Sequence, residues 1–249
     1  MGFYTFKDSI WLENQRYAGS VLRTALEKAE AAISVGISTL ELNQIVEDHI
    51  IDNKCIPTFK GYSGFPCTCC ISTNNELVHG IPSDITLNEG DIVKIDSGAT
   101  YNGAIADMAR TYVVGNTSPK NKLLIASCKE ALDNAIASFD KKPYRLGNIG
   151  YAIKKTASKI NAKIVTDLTG HGLEINEPHW FPIVLNVGEK DSGIILYPNM
   201  TLCIEPMFTY GSPKIKIKKD GWTVVLEDIG VHFEDTIFVH EDFIEIITR

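Results

Sequence analysis

The sequence has no apolar run near the roughly 18–20 residues that are needed to cross a bilayer. Its N-terminus also lacks a basic segment followed by an apolar core, so we expect no secretory signal. Basic residues are the minority: 24 lysines and arginines against 31 aspartates and glutamates give a net charge of −7. This balance argues against a general nucleic-acid binder, although not against a local basic patch. Together these absences predict a cytoplasmic protein with no membrane partner and no specific nucleic-acid partner.

Paired C-x-x-C elements, which are typical of structural zinc sites, are also missing. The cysteines are Cys55, Cys67, Cys69, Cys70, Cys128 and Cys203. Because there is no secretory context, we interpret them as reduced thiols that are buried or line a pocket.

The chain of 249 residues is long enough to bury a full core. Periodic apolar positions and capping signals predict helices at about 9–34, 38–53, 119–141 and 147–160. Strand-favouring runs in the second half of the chain are Lys163–Asp167, Thr201–Phe208, Lys214–Lys219, Trp222–Val225 and Glu234–Val239. Two helices precede strands both before and after residue 117. We therefore expect an α+β protein in which residues 1–249 form one catalytic domain, with halves of about 1–117 and 118–249 facing a shared centre.

The stretch Asp91–Thr111 carries the first chemical signal. Strand-favouring runs flank an Asn-Gly pair at 102–103, which is a strong hairpin signal. Such a hairpin places Asp96 and Asp107 on one sheet face as diagonal neighbours, roughly 7–8 Å apart at the backbone. Burying both carboxylates without compensation would cost several kcal/mol, and a cation between them is the simplest remedy. The alternative is a pair of solvated aspartates near a turn.

Three further stretches supply candidate ligands. His171 lies between glycines, where the imidazole can project freely, and Glu205 and Glu234 lie in apolar strands, where glutamate is seldom buried unless it is paired. Singly, each is consistent with a hydrogen-bonded core histidine or a strand-end glutamate. With the two aspartates they make four oxygen donors and one imidazole, which suit two divalent ions about 3–4 Å apart.

These motifs, in this order, resemble the type I methionine aminopeptidases. The matching stretches are Asn75–Pro82, Gly90–Asp96, Thr169–Gly172, Ile204–Met207 and Phe233–Thr236. The resemblance covers nearly the whole chain and is closest to the short, bacterial-type form. It implies the pita-bread fold, with two pseudo-symmetric halves and a central curved antiparallel sheet flanked by helices, and it implies a monomer.

The resemblance also implies a dinuclear centre. In it Asp96 would chelate one ion, Asp107 and Glu234 would bridge both ions, and His171 and Glu205 would complete the ligand set of the second ion. The ligands fit Mn, Fe or Co best and leave Zn open. A metal-bridged hydroxide would attack the scissile amide, with Glu205 as general base and His79 hydrogen-bonding the substrate.

The implied activity is removal of the initiator methionine from nascent proteins and peptides when the second residue is small. The residues that would surround the methionine side chain are Phe59, Tyr62, Phe65, Cys70, Ile175 and Trp222. From the residues alone, ordinary core packing is the preferred explanation.

Two departures from the family pattern concern the substrate site. A second substrate histidine usually follows Gly-His-Gly, and here Asn176 stands at the matching place in a shorter segment. His179 is an alternative donor if the segment rearranges. The stretch 179–196 is longer than usual, which predicts a different pocket rim.

The run Lys214–Lys219 alternates lysine with isoleucine. This pattern is typical of a solvated edge strand, in which lysines discourage aggregation. The resemblance suggests a second role, docking at the ribosome through Lys214, Lys216, Lys218 and Lys219.

Two rival functions remain open at this point. One is an Xaa-Pro aminopeptidase or dipeptidase of the same fold. The other is a non-catalytic pita-bread binding protein, which would tolerate lost ligands.

Overall fold

The helices form where the apolar periodicity predicts them. The computed structural model of the protein describes residues 5–249, so residues 1–4, with which the predicted domain begins, lie outside the described residues. The helices are α1 (Ser9–Ala32), α2 (Thr39–Asp52), α3 (Pro119–Ala137) and α4 (Gly147–Lys159). Asp8 caps α1 by accepting a hydrogen bond from the backbone of Trp11, and Ser38 and Glu41 form the predicted capping box of α2.

The strands are short and antiparallel. They are β1 (Ile56–Pro57), β2 (Cys69–Thr73), β3 (Glu76–Val78), β4 (Ile92–Tyr101), β5 (Ala104–Val113), β6 (Lys163–Ile164), β7 (Gly170–Glu174), β8 (Glu177–Val184), β9 (Thr201–Ile204), β10 (Met207–Thr209), β11 (Lys216–Ile217), β12 (Val224–Val225), β13 (Gly230–His232), β14 (Glu234–Val239) and β15 (Ile244–Ile246). One large sheet has the order β1-β4-β5-β14-β9-β7-β8, with β2 paired to β4 and β15 paired to β14. Strands from early and late in the sequence are therefore neighbours in it.

The hairpin of β4 and β5 has the predicted register. Asp96 lies opposite Ala109, and Asp107 lies opposite Gly98. On its other side Ala109 lies opposite Glu234 of β14. The sheet thus places Asp96 and Glu234 on either side of one alanine.

The helices cover the sheet in two groups. One apolar cluster joins α1 and α2 to β2, β4 and β5, and another joins α3 and α4 to β9 and β14. The buried amide of Gln15 on α1 donates 2.8 Å hydrogen bonds to the carbonyl of Ile105 and to Thr201 Oγ1. One polar side chain therefore fastens a helix to two distant parts of the same sheet.

Several predicted strands are shorter than expected. The run 201–208 breaks at Glu205 and Pro206 because proline has no N–H for the ladder. The lysine run 214–219 forms only β11, and β11 is an edge strand, as the alternation predicts. The structure also adds β8, which was not predicted, and α3 ends at Ala137 rather than near 141.

All six cysteines are free thiols. In the described part of the chain, no helix is long and apolar enough to cross a membrane.

Candidate metal centre

Five neighbouring strands bring the predicted ligands to one place. Asp96 lies on β4, Asp107 on β5, Glu234 on β14 and His171 on β7, and Glu205 follows directly after β9. All five side chains are buried or nearly so. The centre therefore needs no long loop to assemble it.

The glycines on both sides of His171 are required by close packing. A Cβ atom at Gly170 would lie 2.3 Å from the carbonyl oxygen of Cys203, and one at Gly172 would lie 2.0 Å from the carbonyl oxygen of Phe181. Neighbouring strands thus approach β7 closely enough to fix the imidazole against the carboxylates.

The ligand atoms converge within coordination distance. His171 Nε2 lies 3.8 Å from Glu205 Oε1 and 3.9 Å from Glu234 Oε1. Ligand atoms of Asp107, His171 and Glu234 lie within 4.8 Å of one another. These separations suit donors that share a cation.

The four carboxylates have no basic counterpart. Buried oxygens of Asp96, Asp107 and Glu234 lack a hydrogen-bond partner, and in residues 5–249 no lysine or arginine forms an ion pair with any of the four. By contrast, the next residue, Asp235, is held by Arg110 at 2.6 Å and by Arg249 at 2.7 Å. The fold therefore supplies cationic side chains to Asp235 and none to its neighbour Glu234, which leaves room for metal ions in the neutralising role.

Burial dominates the electrostatics of the centre. Loss of hydration raises the pKa of Asp96 to about 7 and that of Glu205 to about 8. The pKa values of Asp107 and Glu234 are raised well above their usual range, by burial first and then by the neighbouring carboxylates. Burial lowers the pKa of His171 to about 3, so its imidazole is neutral and free to coordinate. The raised carboxyl pKa values reflect the lack of a neutralising positive charge, which divalent cations would supply, and a neutral imidazole can coordinate such ions.

A cavity of about 340 Å³ opens onto the ligands. Its walls include Phe59, Tyr62, Ser63, Phe65, Cys70, Val78, His79, Asp96, Asp107, Asp167, Leu168, Thr169, His171, His179, Glu205, Met207, Trp222 and Glu234. A larger surface groove of about 890 Å³ beside α4 contains none of the predicted ligands. The smaller cavity is therefore the candidate active site.

His79 reaches this cavity from a strained backbone. Its φ of 57° is in the left-handed region, which is uncommon for residues other than glycine and is typical of functional sites. Burial, and then the nearby His232, lower its pKa to about 4. A neutral imidazole is thus held at the cavity wall.

Most of the predicted methionine pocket comes together. Phe59, Phe65 and Cys70 are buried in one cluster with Trp222 packed against it. The rings of Phe65 and Trp222 meet edge to face at 5.2 Å. Tyr62 completes the wall and donates a hydrogen bond of 3.2 Å to Glu177.

The structure corrects the positions predicted for Ile175 and Asn176, which do not line the cavity. Both lie in the turn between β7 and β8, where Asn176 has a φ of 58° and its backbone N–H donates to the carbonyl of Gly103 at 3.0 Å. The shortened segment forms a tight hairpin and draws these side chains away from the centre.

His179 occupies the place that Asn176 was predicted to fill. Its ring centroid lies 4.4 Å from that of His171 and 5.3 Å from that of Tyr62. His179, which the sequence offered as the alternative donor, is therefore the residue that lines the cavity. Side chains alternate along β8, so recognising that strand would have predicted this position.

Other wall residues were not predicted. They are Val78, Asp167, Leu168, Thr169 and Met207. Val78, Thr169 and Met207 lie inside the matching motif stretches, and Asp167 and Leu168 directly precede one of them, but no pattern in the sequence marks them as wall residues. His232, which lies beside Glu205 and Glu234, was also missed.

A curled antiparallel sheet with a buried cluster of carboxylates and imidazole is the architecture of pita-bread metallohydrolases. A solved methionine aminopeptidase from Thermotoga maritima matches with a TM-score of 0.94 and 34% identity, over 99% of both chains. A prolidase from Pyrococcus furiosus matches with a TM-score of 0.78 and 23% identity, over 98% of this chain and 65% of the other, and shows only the shared fold. The fold expected from the motifs is confirmed.

Sequence comparison gives the narrower class. A profile of metallopeptidase family M24 matches residues 13–241. A methionine aminopeptidase from Mycoplasma capricolum is 40% identical over 98% of both chains. The chain belongs to metallopeptidase family M24 and, within it, to the methionine aminopeptidases. It is therefore a metal-dependent aminopeptidase, and the non-catalytic alternative is set aside.

Proposed function

We propose that the protein removes N-terminal methionine from nascent proteins and peptides, with a preference for a small second residue. The observation that carries this proposal is the position of the aromatic pocket, whose walls belong to the same cavity as the ligand cluster. A substrate side chain that fills the pocket brings its own N-terminus to the carboxylates, which favours an exopeptidase. We also propose that residues 1–249 act as one catalytic domain made of the halves 1–117 and 118–249.

Two divalent ions, of Co, Mn, Fe or Zn, are the proposed cofactors. Asp96 would hold one ion, Asp107 and Glu234 would be shared by both, and His171 and Glu205 would hold the other. When bound, such ions supply Lewis acidity and lower the pKa of a coordinated water. The unpartnered oxygens of Asp96, Asp107 and Glu234 support this assignment.

The protein's own groups carry the proton transfers. Glu205 accepts the proton of the attacking water and returns one to the leaving amine. His79 hydrogen-bonds the scissile amide, and its neutral ring is suited to that task. We assign the second substrate contact to His179 in place of Asn176, because His179 lines the cavity.

Recognition of methionine rests on the pocket of Phe59, Tyr62, Phe65, Cys70 and Trp222. Aromatic faces and a thiol give favourable contacts to a flexible thioether. Ile175, at the hairpin turn, is left out of this pocket.

Peptide cleavage tests the proposed function. Met-Ala-Ser, Met-Lys-Ser and an Xaa-Pro peptide are incubated with the metal-free protein and each added metal, and the products are measured by mass spectrometry. We expect release of methionine from Met-Ala-Ser with at least one metal and little release from Met-Lys-Ser. Preferential cleavage of the Xaa-Pro peptide would favour the rival enzyme class instead.

Docking at the ribosome is a separate proposal. Lys216 lies exposed on the edge strand β11, where it can meet a polyanion, whereas Lys218 is paired with Glu76. Charge reversal of Lys214, Lys216, Lys218 and Lys219 to glutamate is expected to weaken salt-sensitive pelleting with ribosomes. Unchanged pelleting would remove this role. A cytoplasmic location and a monomeric state are proposed with it.

A further inference from the structure

His232 has no assigned role, yet it lies at the centre. It ends β13, two residues before Glu234, and is only 1% exposed. Neither ring nitrogen has a hydrogen-bond partner among the described residues. A buried imidazole with both nitrogens unpaired is costly, so a ligand is the simplest compensation.

The two imidazoles bracket the glutamates. His232 Nε2 lies 3.3 Å from Glu205 Oε2 and 3.9 Å from Glu234 Oε2. On the other side, His171 Nε2 lies 3.8 Å and 3.9 Å from the Oε1 atoms of the same two residues. Each glutamate therefore presents one oxygen to each histidine.

The spacing around His232 Nε2 suits a metal ligand. Glu205 Oε2 lies 3.3 Å away, yet the ring nitrogen has no hydrogen-bond partner among the described residues. Two ligands that each lie roughly 2.0–2.2 Å from one ion are themselves a little over 3 Å apart. The separation of His232 Nε2 from Glu205 Oε2 matches this distance.

We propose that His232 Nε2 is a metal ligand, which would bind the ion of Asp96, rather than that of His171, together with the Oε2 atoms of Glu205 and Glu234. This proposal rests on the two-ion centre of the proposed function. Asp96 is the acidic group whose charge acts on His232 from the neighbouring strand β4. The chain would then offer an imidazole to each ion instead of to one.

A second imidazole changes the expected metal preference. Imidazole suits Zn, Fe, Co and Ni, whereas an all-oxygen site suits Mn and Mg. We therefore expect the site of Asp96 and His232 to prefer nitrogen-seeking ions, and replacing His232 to shift that preference towards Mn.

Nuclear magnetic resonance of the full-length protein tests the ligation directly. The protein is labelled with ¹⁵N-histidine, stripped of metal and loaded with two equivalents of ¹¹³Cd²⁺. We expect scalar coupling to ¹¹³Cd at ring nitrogens of both His171 and His232, with one coupled signal lost in His232→Gln. Coupling at His171 alone would overturn the proposal and leave the metal centre intact. No coupling at all would mean that the proposed centre itself is wrong.

Calorimetric titration with Co²⁺ supplies an independent measurement. His232→Gln is expected to weaken the second binding step at least about tenfold and to spare the first step. His49→Gln, on the exposed side of α2, is the matched control and should change neither step. Unaltered binding by His232→Gln would show that the imidazole does not bind the ion. If that variant does not fold, the coupling pattern of the unaltered protein decides.

Discussion

At the scale of single residues, the acids of this protein differ in what neutralises them. Asp235 and Glu234 are adjacent and both buried, but Asp235 pairs with two guanidinium groups, whereas the ion-pair partners of Glu234 within residues 5–249 are imidazoles. Their alternation on β14 sends one to a structural ion pair and the other to the cavity. Burial alone therefore does not identify a functional acid, whereas its partners do.

Glu205 gives a direct test of the proton-transfer role. Glu205→Gln keeps a carbonyl oxygen for coordination but cannot accept a proton, so turnover of Met-Ala-Ser is expected to fall at least ~100-fold. Metal content, measured by elemental analysis, should be largely retained. Near-normal turnover would exclude Glu205 as the general base.

His179 and Asn176 form a natural pair for comparison. His179→Ala removes a donor at the cavity and is expected to lower turnover about tenfold or more. Asn176→Ala alters only the hairpin turn, so its effect on turnover should be small even if the melting temperature drops. Steady-state kinetics of both variants decide the assignment, and a larger loss of turnover in the asparagine variant would reverse it.

At the scale of elements, β7 is the strand whose position is most tightly fixed. Gly172→Ala would place a Cβ atom 2.0 Å from the carbonyl of Phe181, and the forced separation of β7 from β8 is expected to cost about 1–3 kcal/mol of unfolding free energy. Because His171 is the preceding residue, metal affinity should fall as well.

Gly221→Ala provides the comparison for that experiment. Gly221 has a φ of 79° and open space around it, so alanine there adds backbone strain without a clash. It should lower the melting temperature slightly and leave metal affinity unchanged. Equal losses of metal affinity in both variants would argue against a specific role for the β7–β8 approach.

The two hairpins, β4–β5 and β7–β8, differ in how well the sequence predicts them. The β4–β5 hairpin was predicted with its register because an Asn-Gly turn and alternating residues fix it locally. The β7–β8 hairpin was not predicted, because its turn at Ile175 and Asn176 lacks glycine and the apolar pattern of β8 is interrupted by His179. The correction at Asn176 follows from this missed strand.

The sequence also could not show which residues from distant parts of the chain come together at the site. The five ligands were predicted from residue types and family motifs, and the structure brings them together on neighbouring strands. His232 carried no motif of its own, and its nearness to Glu205 depends on the pairing of β13 with β10, in which His232 lies opposite Met207. Only the folded sheet shows that contact.

At the scale of the whole molecule, the buried carboxylates predict how stability depends on pH without metal. The pKa values of Asp96 and Glu205 rise from 3.8 and 4.5 to about 7 and about 8. Between pH 7 and pH 8 the folded protein therefore binds more protons than the unfolded chain, so its unfolding free energy falls as the pH rises. The histidines of the site have lowered pKa values, and their effect is confined to pH values below about 6.5.

Thermal unfolding across this window is the measurement. We expect the melting temperature of the metal-free protein to decrease from pH 7 to pH 8, and added Co²⁺ or Mn²⁺ to raise it more at pH 8 than at pH 7. Glu205→Gln removes one of the titrating groups and should reduce the slope. A melting temperature that rises over this range without metal would contradict the prediction.

The row of five neighbouring strands has a consequence for damage as well as for catalysis. Each strand carries or directly precedes one proposed ligand, so a slip, a nick or an oxidised residue anywhere along the row would disturb at least one proposed metal contact. We therefore expect metal to dissociate before secondary structure is lost. The amount of bound metal would then be an early indicator of whether the whole sheet is intact.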